Sequence, residues 1–89
     1  MTQPKPYRSS GEKELLEKAR RVLPGGSLGN ITMRDDLSFL VREGKGSRIW
    51  DISGNEYVDW LMGSGPMVLG HAHPAVVDAV VKSVEQGST

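Results

Sequence analysis

The hydrophobic period of the chain changes twice, and that succession limits the folds open to it. Leu15, Leu16, Ala19, Val22 and Leu23 recur at helical spacing and form one apolar stripe. From Ser38 the period falls to two. "SFLVRE", "SRIWDI" and "EYVDWL" are short runs rich in β-branched and aromatic residues, parted by "GKG" and "SGN", the pattern of a three-stranded antiparallel meander. Val77, Val80, Val81 and Val84 then return to helical spacing. Helix, meander and helix make an α+β segment. A lone meander is weak unless something covers one face, and within the chain only the two helices offer that cover.

Local signals set the element ends. Ser9 with Glu12 three residues later has capping-box spacing, in which each side chain satisfies a free backbone N–H. "LPGG" stops the first helix, because proline cannot continue the ladder and the glycines admit backbone angles other residues avoid. Glu14 with Lys18, Glu17 with Arg21 and Asp78 with Lys82 place acid before base one turn apart. His73 serves as an improvised cap, Pro74 suits a first helical position, and Gly87 marks a C-terminal stop. Residues 1–8 read as a flexible arm, residues 9–89 as one unit, and "SLGNITMRDD" as a loop.

Composition narrows the partners. At 89 residues a chain buries only roughly 60–65% of the surface its unfolded form exposes. Eleven basic residues balance eleven acidic ones, so no net field draws the chain to nucleic acid or an anionic membrane. There is no cysteine, and "MTQPKPYRSS" lacks the apolar core of a signal peptide. No apolar run approaches the ~20 residues that span a bilayer. The expectation is a cytoplasmic chain with no nucleic acid or membrane partner.

Individual motifs carry little chemistry by themselves. "GSGPMVLGHAHP", Gly63 to Pro74, places His71 and His73 one residue apart. A zinc site normally takes at least three ligands, so Asp59 or Asp78 would have to complete one from a distance; a catalytic base would need a cleft and a partner. The favoured reading is architectural, with ring nitrogens tying loop backbone beside a helix start. "DISGNE" carries oxygens at Asp51, Ser53 and Asn55, but Glu56 and Met62 stand where a calcium loop needs glycine and glutamate, which leaves a tight turn capped by Asp51. "GKGS" lacks the spacing of a phosphate loop and reads as a hairpin turn. Arg34 beside Asp35 and Asp36 is a carboxylate-binding arginine or, the favoured alternative, part of a self-neutralising cluster. None of the lysines has the buried setting of a Schiff-base nucleophile.

Taken together, "LPGGS" after an amphipathic helix, "GKGSRIWDISGNEYVDWLMGSGP" and "LGHAHPAVVDAVVKSVEQGST" resemble the N-terminal segment of class III aminotransferases. Those are pyridoxal-phosphate enzymes of fold type I, and "PGG" with "GSGP…GHAHP" is most similar to the glutamate-1-semialdehyde aminomutase-like group. The resemblance covers residues 10 to 89. It implies the α/β fold type I architecture, amino-group transfer on an amino acid or amino-aldehyde, pyridoxal 5'-phosphate as cofactor and a homodimer. It implies further that the segment helps shape the substrate pocket and dimer interface and is inactive alone, since the cofactor lysine and its companions lie downstream in the family. Candidate substrate-binding residues by this resemblance are Gly63, Ser64, Gly65, Ser27, Asn30 and Arg34. Ser64 stands where aminomutase-like relatives often carry tryptophan, which implies a roomier pocket. Ser53 replaces the second aspartate of the family's "WDxDGxxY" turn, an exchange expected to cost little. The alternative is a non-catalytic remnant or small interaction module whose apolar helix faces dock a partner.

Overall fold

A computed structural model describes residues 6–27 and 33–88 of the chain. Helix α1 (Ser10–Val22) starts where Ser9 holds an extended backbone and its side chain accepts the Glu12 N–H at 3.2 Å. Only this arm of the expected capping box forms. The Ser9 N–H donates instead to Ser53 Oγ at 2.8 Å, and the same hydroxyl donates to Glu12 Oε1. Glu12 Oε2 accepts the Leu40 N–H at 2.7 Å. Glu12 is thus fully buried with both oxygens occupied, the condition under which a carboxylate tolerates loss of water. Ser53 is therefore more than a turn residue: it bolts the start of α1 to the sheet.

Helix α1 ends as its sequence dictates. The Leu23 N–H still reaches Ala19 O at 2.8 Å, after which Pro24–Gly26 form a single 3-10 turn. Gly25 and Gly26 take φ of 66° and 75° there, a region open to glycine at no steric cost.

Three strands follow in the order β1 (Val41–Lys45), β2 (Arg48–Asp51) and β3 (Glu56–Val58), antiparallel throughout. The meander is as the alternating period predicts, with its first turn displaced. Gly44 and Lys45 lie within β1, where Gly44 pairs with Ile49 and Lys45 with Arg48, and the turn is Gly46–Ser47. A bulge between Val41 and Glu43 absorbs the offset. At the second turn Asp51 Oδ1 accepts the Asn55 N–H at 2.8 Å, as the Asp51-capped turn requires.

Cover over the sheet is where the structure departs from expectation. Ile49 is the one buried hydrophobic residue among those described. Leu16 and Ala19 of α1, with Leu23 just beyond its end, face Phe39, Leu40 and Val41 across an open cleft of about 580 Å³. Helix α2 (Pro74–Val84) packs on no other helix or strand among the described residues. Val76, Val77, Val80, Val81 and Val84 remain 46–58% exposed. The reason lies in the connection. His71 pairs with Gly46 at the tip of the β1–β2 hairpin, so α2 starts beside that tip rather than over a sheet face. Of the arm expected over residues 1–8, residues 1–5 lie outside those described, and Arg8 is tied to the sheet by the contacts given below.

Candidate functional site

The connection from β3 to α2 is held by one carboxylate and one imidazole. The Asp59 N–H continues the sheet to Ser47 O at 2.9 Å. Its Oδ1 accepts the N–H groups of Leu61 at 2.8 Å and Met62 at 3.0 Å, and Oδ2 lies 2.6 Å from His71 Nε2. The Met62 N–H foremost, then His71, hold the Asp59 carboxyl below its usual range. A carboxylate only accepts, so His71 Nε2 carries the proton of that bond.

His71 is in turn fixed by the hairpin. Its N–H and C=O both exchange bonds of 2.9 Å with Gly46. Its ring lies over Gly44, where a Cβ would sit 2.7 Å from the ring carbon Cγ. Glycine at 44 is what lets the imidazole seat there. Glycine at 70 does the same for the backbone, since with φ at +80° its Cβ would meet Gly46 O at 2.9 Å. His73 Nδ1 accepts the Ala75 N–H at 3.2 Å and caps α2, with Pro74 as its first residue. His71 thus ties the loop to the hairpin and His73 caps the helix start. Among the described residues no three potential ligands converge on a metal position.

Between these anchors runs the turn carrying three of the candidate substrate residues. Met62, Gly63, Ser64 and Gly65 have φ of 49°, 65°, 69° and 113°. Met62 and Ser64 pay a steric penalty there, which persists only when surrounding contacts over-determine the backbone. Those contacts include the two bonds to Asp59, the Ser64 N–H to Leu61 O at 3.0 Å and the Met67 N–H to Met62 O at 3.3 Å. Gly63, Ser64 and Gly65 are exposed.

The remaining candidates lie elsewhere. Ser27 lines the cleft between α1 and residues 38–41, and none of residues 63–65 does. Asn30 lies outside the described residues. Arg34 clasps Asp36 with two bonds, Nε to Oδ1 at 3.0 Å and Nη2 to Oδ2 at 2.6 Å, which push its pKa upward. In the folded chain it is thus the self-neutralising cluster.

One cluster went unread in the sequence. Arg8 Nη1 donates to Asp51 Oδ2 at 2.8 Å and to Tyr57 Oη at 3.0 Å, while Arg8 Nε reaches Ser38 O at 3.2 Å. The guanidinium lies 5.6 Å from the centre of the Phe39 ring, which stacks on Tyr57 at 4.9 Å. Asp51, fully buried, also accepts from Tyr57 Oη at 2.7 Å and Asn55 Nδ2 at 2.8 Å. Burial pulls the Asp51 carboxyl up, but donors from Asn55, Tyr57 and Arg8 together outweigh it and hold the group below the ordinary aspartate range. Burial, and the bond it gives Asp51, push the Tyr57 phenol up. Asp51 was legible as a turn residue; nothing local marked Arg8, 43 positions away, as its partner.

Pyridoxal phosphate, which the resemblance implies, is anchored in enzymes by a lysine and a partner for its ring nitrogen. The described lysines, Lys13, Lys18, Lys45 and Lys82, are all exposed, and Lys82 Nζ is bonded to Asp78 at 2.9 Å. The described residues do not fit the cofactor and supply no step of its chemistry.

Comparison with known proteins agrees with the geometry. Residues 31–89 match the family model of aminotransferase class III. The chain is 44% identical over 75 residues to a glutamate-1-semialdehyde 2,1-aminomutase from Thermoplasma volcanium, covering 84% of this chain and 18% of that protein. A glutamate-1-semialdehyde aminomutase structure from Pseudomonas aeruginosa PAO1 superposes with a TM-score of 0.75 at 32% identity, covering 89% of this chain and 18% of the other. An omega-transaminase from Sphaerobacter thermophilus gives the same TM-score and identity over 88% of this chain and 18% of its own. The chain spans about a fifth of the length of such relatives. Two helices and a three-stranded antiparallel sheet in this arrangement are a segment of the fold type I transaminase architecture. The chain belongs to the class III aminotransferase family.

Proposed function

We infer that these residues work as the N-terminal part of a pyridoxal-phosphate-dependent aminotransferase or aminomutase, cytoplasmic and homodimeric, that moves an amino group on an amino acid or amino-aldehyde. The match of residues 31–89 to the family model carries this reading. The cofactor supplies the electron sink of the reaction when bound, held by protein other than the residues described. This chain's share is to shape the pocket and to dock. The Gly63–Ser64–Gly65 turn is the part of the segment that faces substrate, with Ser27 and Asn30 as further contacts; Arg34 joins them only by giving up its two bonds to Asp36. Exposure of the turn and its enforced backbone support that role, and the small Ser64 side chain leaves room beside the substrate. The uncovered valines of α2 are the docking face, because contiguous apolar surface of that kind marks a place where further protein sits.

Co-expression tests the reading. The chain, produced with the cofactor-binding remainder of a class III aminotransferase, is expected to co-purify with it and restore the visible absorbance of bound pyridoxal phosphate together with amino-group transfer. A soluble chain that neither associates nor restores either signal would leave only the remnant or interaction module.

A further inference from the structure

We propose that Asp59 and His71 are positioning residues for the Met62–Gly65 turn; the proposal rests on the reading of that turn as part of the substrate pocket. Neither side chain touches substrate in this account. They act through the backbone between them.

The chain of placement begins in the hairpin. Gly46 fixes the His71 backbone with two bonds of 2.9 Å, and the absence of a side chain at Gly44 gives its ring room to lie against the strand. The imidazole then holds Asp59 Oδ2 at 2.6 Å, so the carboxylate keeps one rotamer and its other oxygen stays in line with the Leu61 and Met62 N–H groups. Those two bonds pin the entry of a turn whose next residues occupy left-handed backbone at Met62 and Ser64. Left to itself such a turn relaxes, because non-glycine residues gain by leaving that region. The Asp59–His71 pair is therefore the device by which a rigid hairpin imposes an unfavourable conformation on an exposed loop. Both side chains are largely screened, at 13% and 19% exposure, which strengthens a charge-assisted bond relative to one in open water.

The test uses the assembled enzyme carrying His71→Leu, which removes the donor, and His71→Gln, whose side-chain amide supplies one near the position of Nε2. Hydrogen exchange across residues 59–68 and steady-state kinetics are read together. The expected result for His71→Leu is faster exchange at Leu61 to Gly65 and a KM raised about tenfold with kcat little changed, the pattern of lost binding common to ground and transition states. His71→Gln is expected to recover both. Wild-type exchange in His71→Leu, or a His71→Gln variant as impaired as His71→Leu, would overturn the proposal. Faster exchange with KM unchanged would uphold the pair's grip on the turn and overturn instead the assignment of the turn to the substrate pocket.

Discussion

Replacing Asp51 by alanine is expected to destabilise the intact enzyme's N-terminal segment by about 3 kcal/mol, the lower end of the range for removing one partner of a buried ion pair. The low end applies because Arg8 keeps 15% of its side chain in water and can recover part of its hydration. The loss arises from what is stranded. The Arg8 guanidinium, the Tyr57 hydroxyl and the Asn55 amide all donate to Asp51 Oδ2, and while Arg8 and Asn55 keep the Tyr7 carbonyl as a second acceptor, the buried charge partner is gone. Tyr57→Phe, which removes one donor to Asp51 and one acceptor of Arg8 Nη1 while leaving the Arg8–Asp51 bond in place, should cost only about 1 kcal/mol. Native-state hydrogen exchange of the intact enzyme across residues 48–58 checks both values, and an Asp51→Ala protein as stable there as wild type would sink the assignment. The pH dependence has a fixed sign. The folded carboxyl titrates below its unfolded value, so its contribution is complete at neutral pH and is lost as the pH falls below about 4 and through the folded value. Wild type and Asp51→Ala should therefore converge in acid.

The second large effect belongs to Ser53. Ser53→Asp places a second carboxylate against Glu12, which is fully buried and already accepts from the residue it would lose. Like charges in one site disfavour joint ionisation, and the Ser53 donor to Glu12 disappears. Roughly 2–3 kcal/mol of destabilisation follows, against about 1–2 for Ser53→Ala, which only removes hydrogen bonds. Equal deficits for Ser53→Asp and Ser53→Ala, read by hydrogen exchange at the start of α1 in the intact enzyme, would mean that Glu12 and residue 53 do not share a site.

These two clusters also mark the limit of what the sequence discloses. The elements and their order followed from period alone, because a helical stripe and an alternating strand are local properties. The caps at Ser9 and His73 and the turn at Asp51 were legible for the same reason. What was not legible depends on contacts between distant residues. Glu12 has the spacing of a capping box yet turns to Ser53 and Leu40, 41 and 28 positions away. Arg8 sits in a stretch that reads as a loose arm and ends against Asp51. The valine stripe of α2 was legible as an apolar face, but the structure leaves it 46–58% exposed, and no local signal says what would cover it. In the candidate site, the glycine-rich turn could be located, whereas its dependence on Asp59 and His71 required seeing the hairpin and the loop together.

The central claim is that these residues are one portion of a larger fold and cannot hold it alone. Scanning calorimetry of the 89-residue chain tests it most directly. With Ile49 the one buried hydrophobic residue among those described and Trp60 at 92% exposure, the account predicts no cooperative endotherm, together with binding of an apolar dye. A monomer that unfolds in a single two-state transition, with a heat-capacity change of about 1.1–1.3 kcal/mol/K expected for a complete domain of this length, would contradict it.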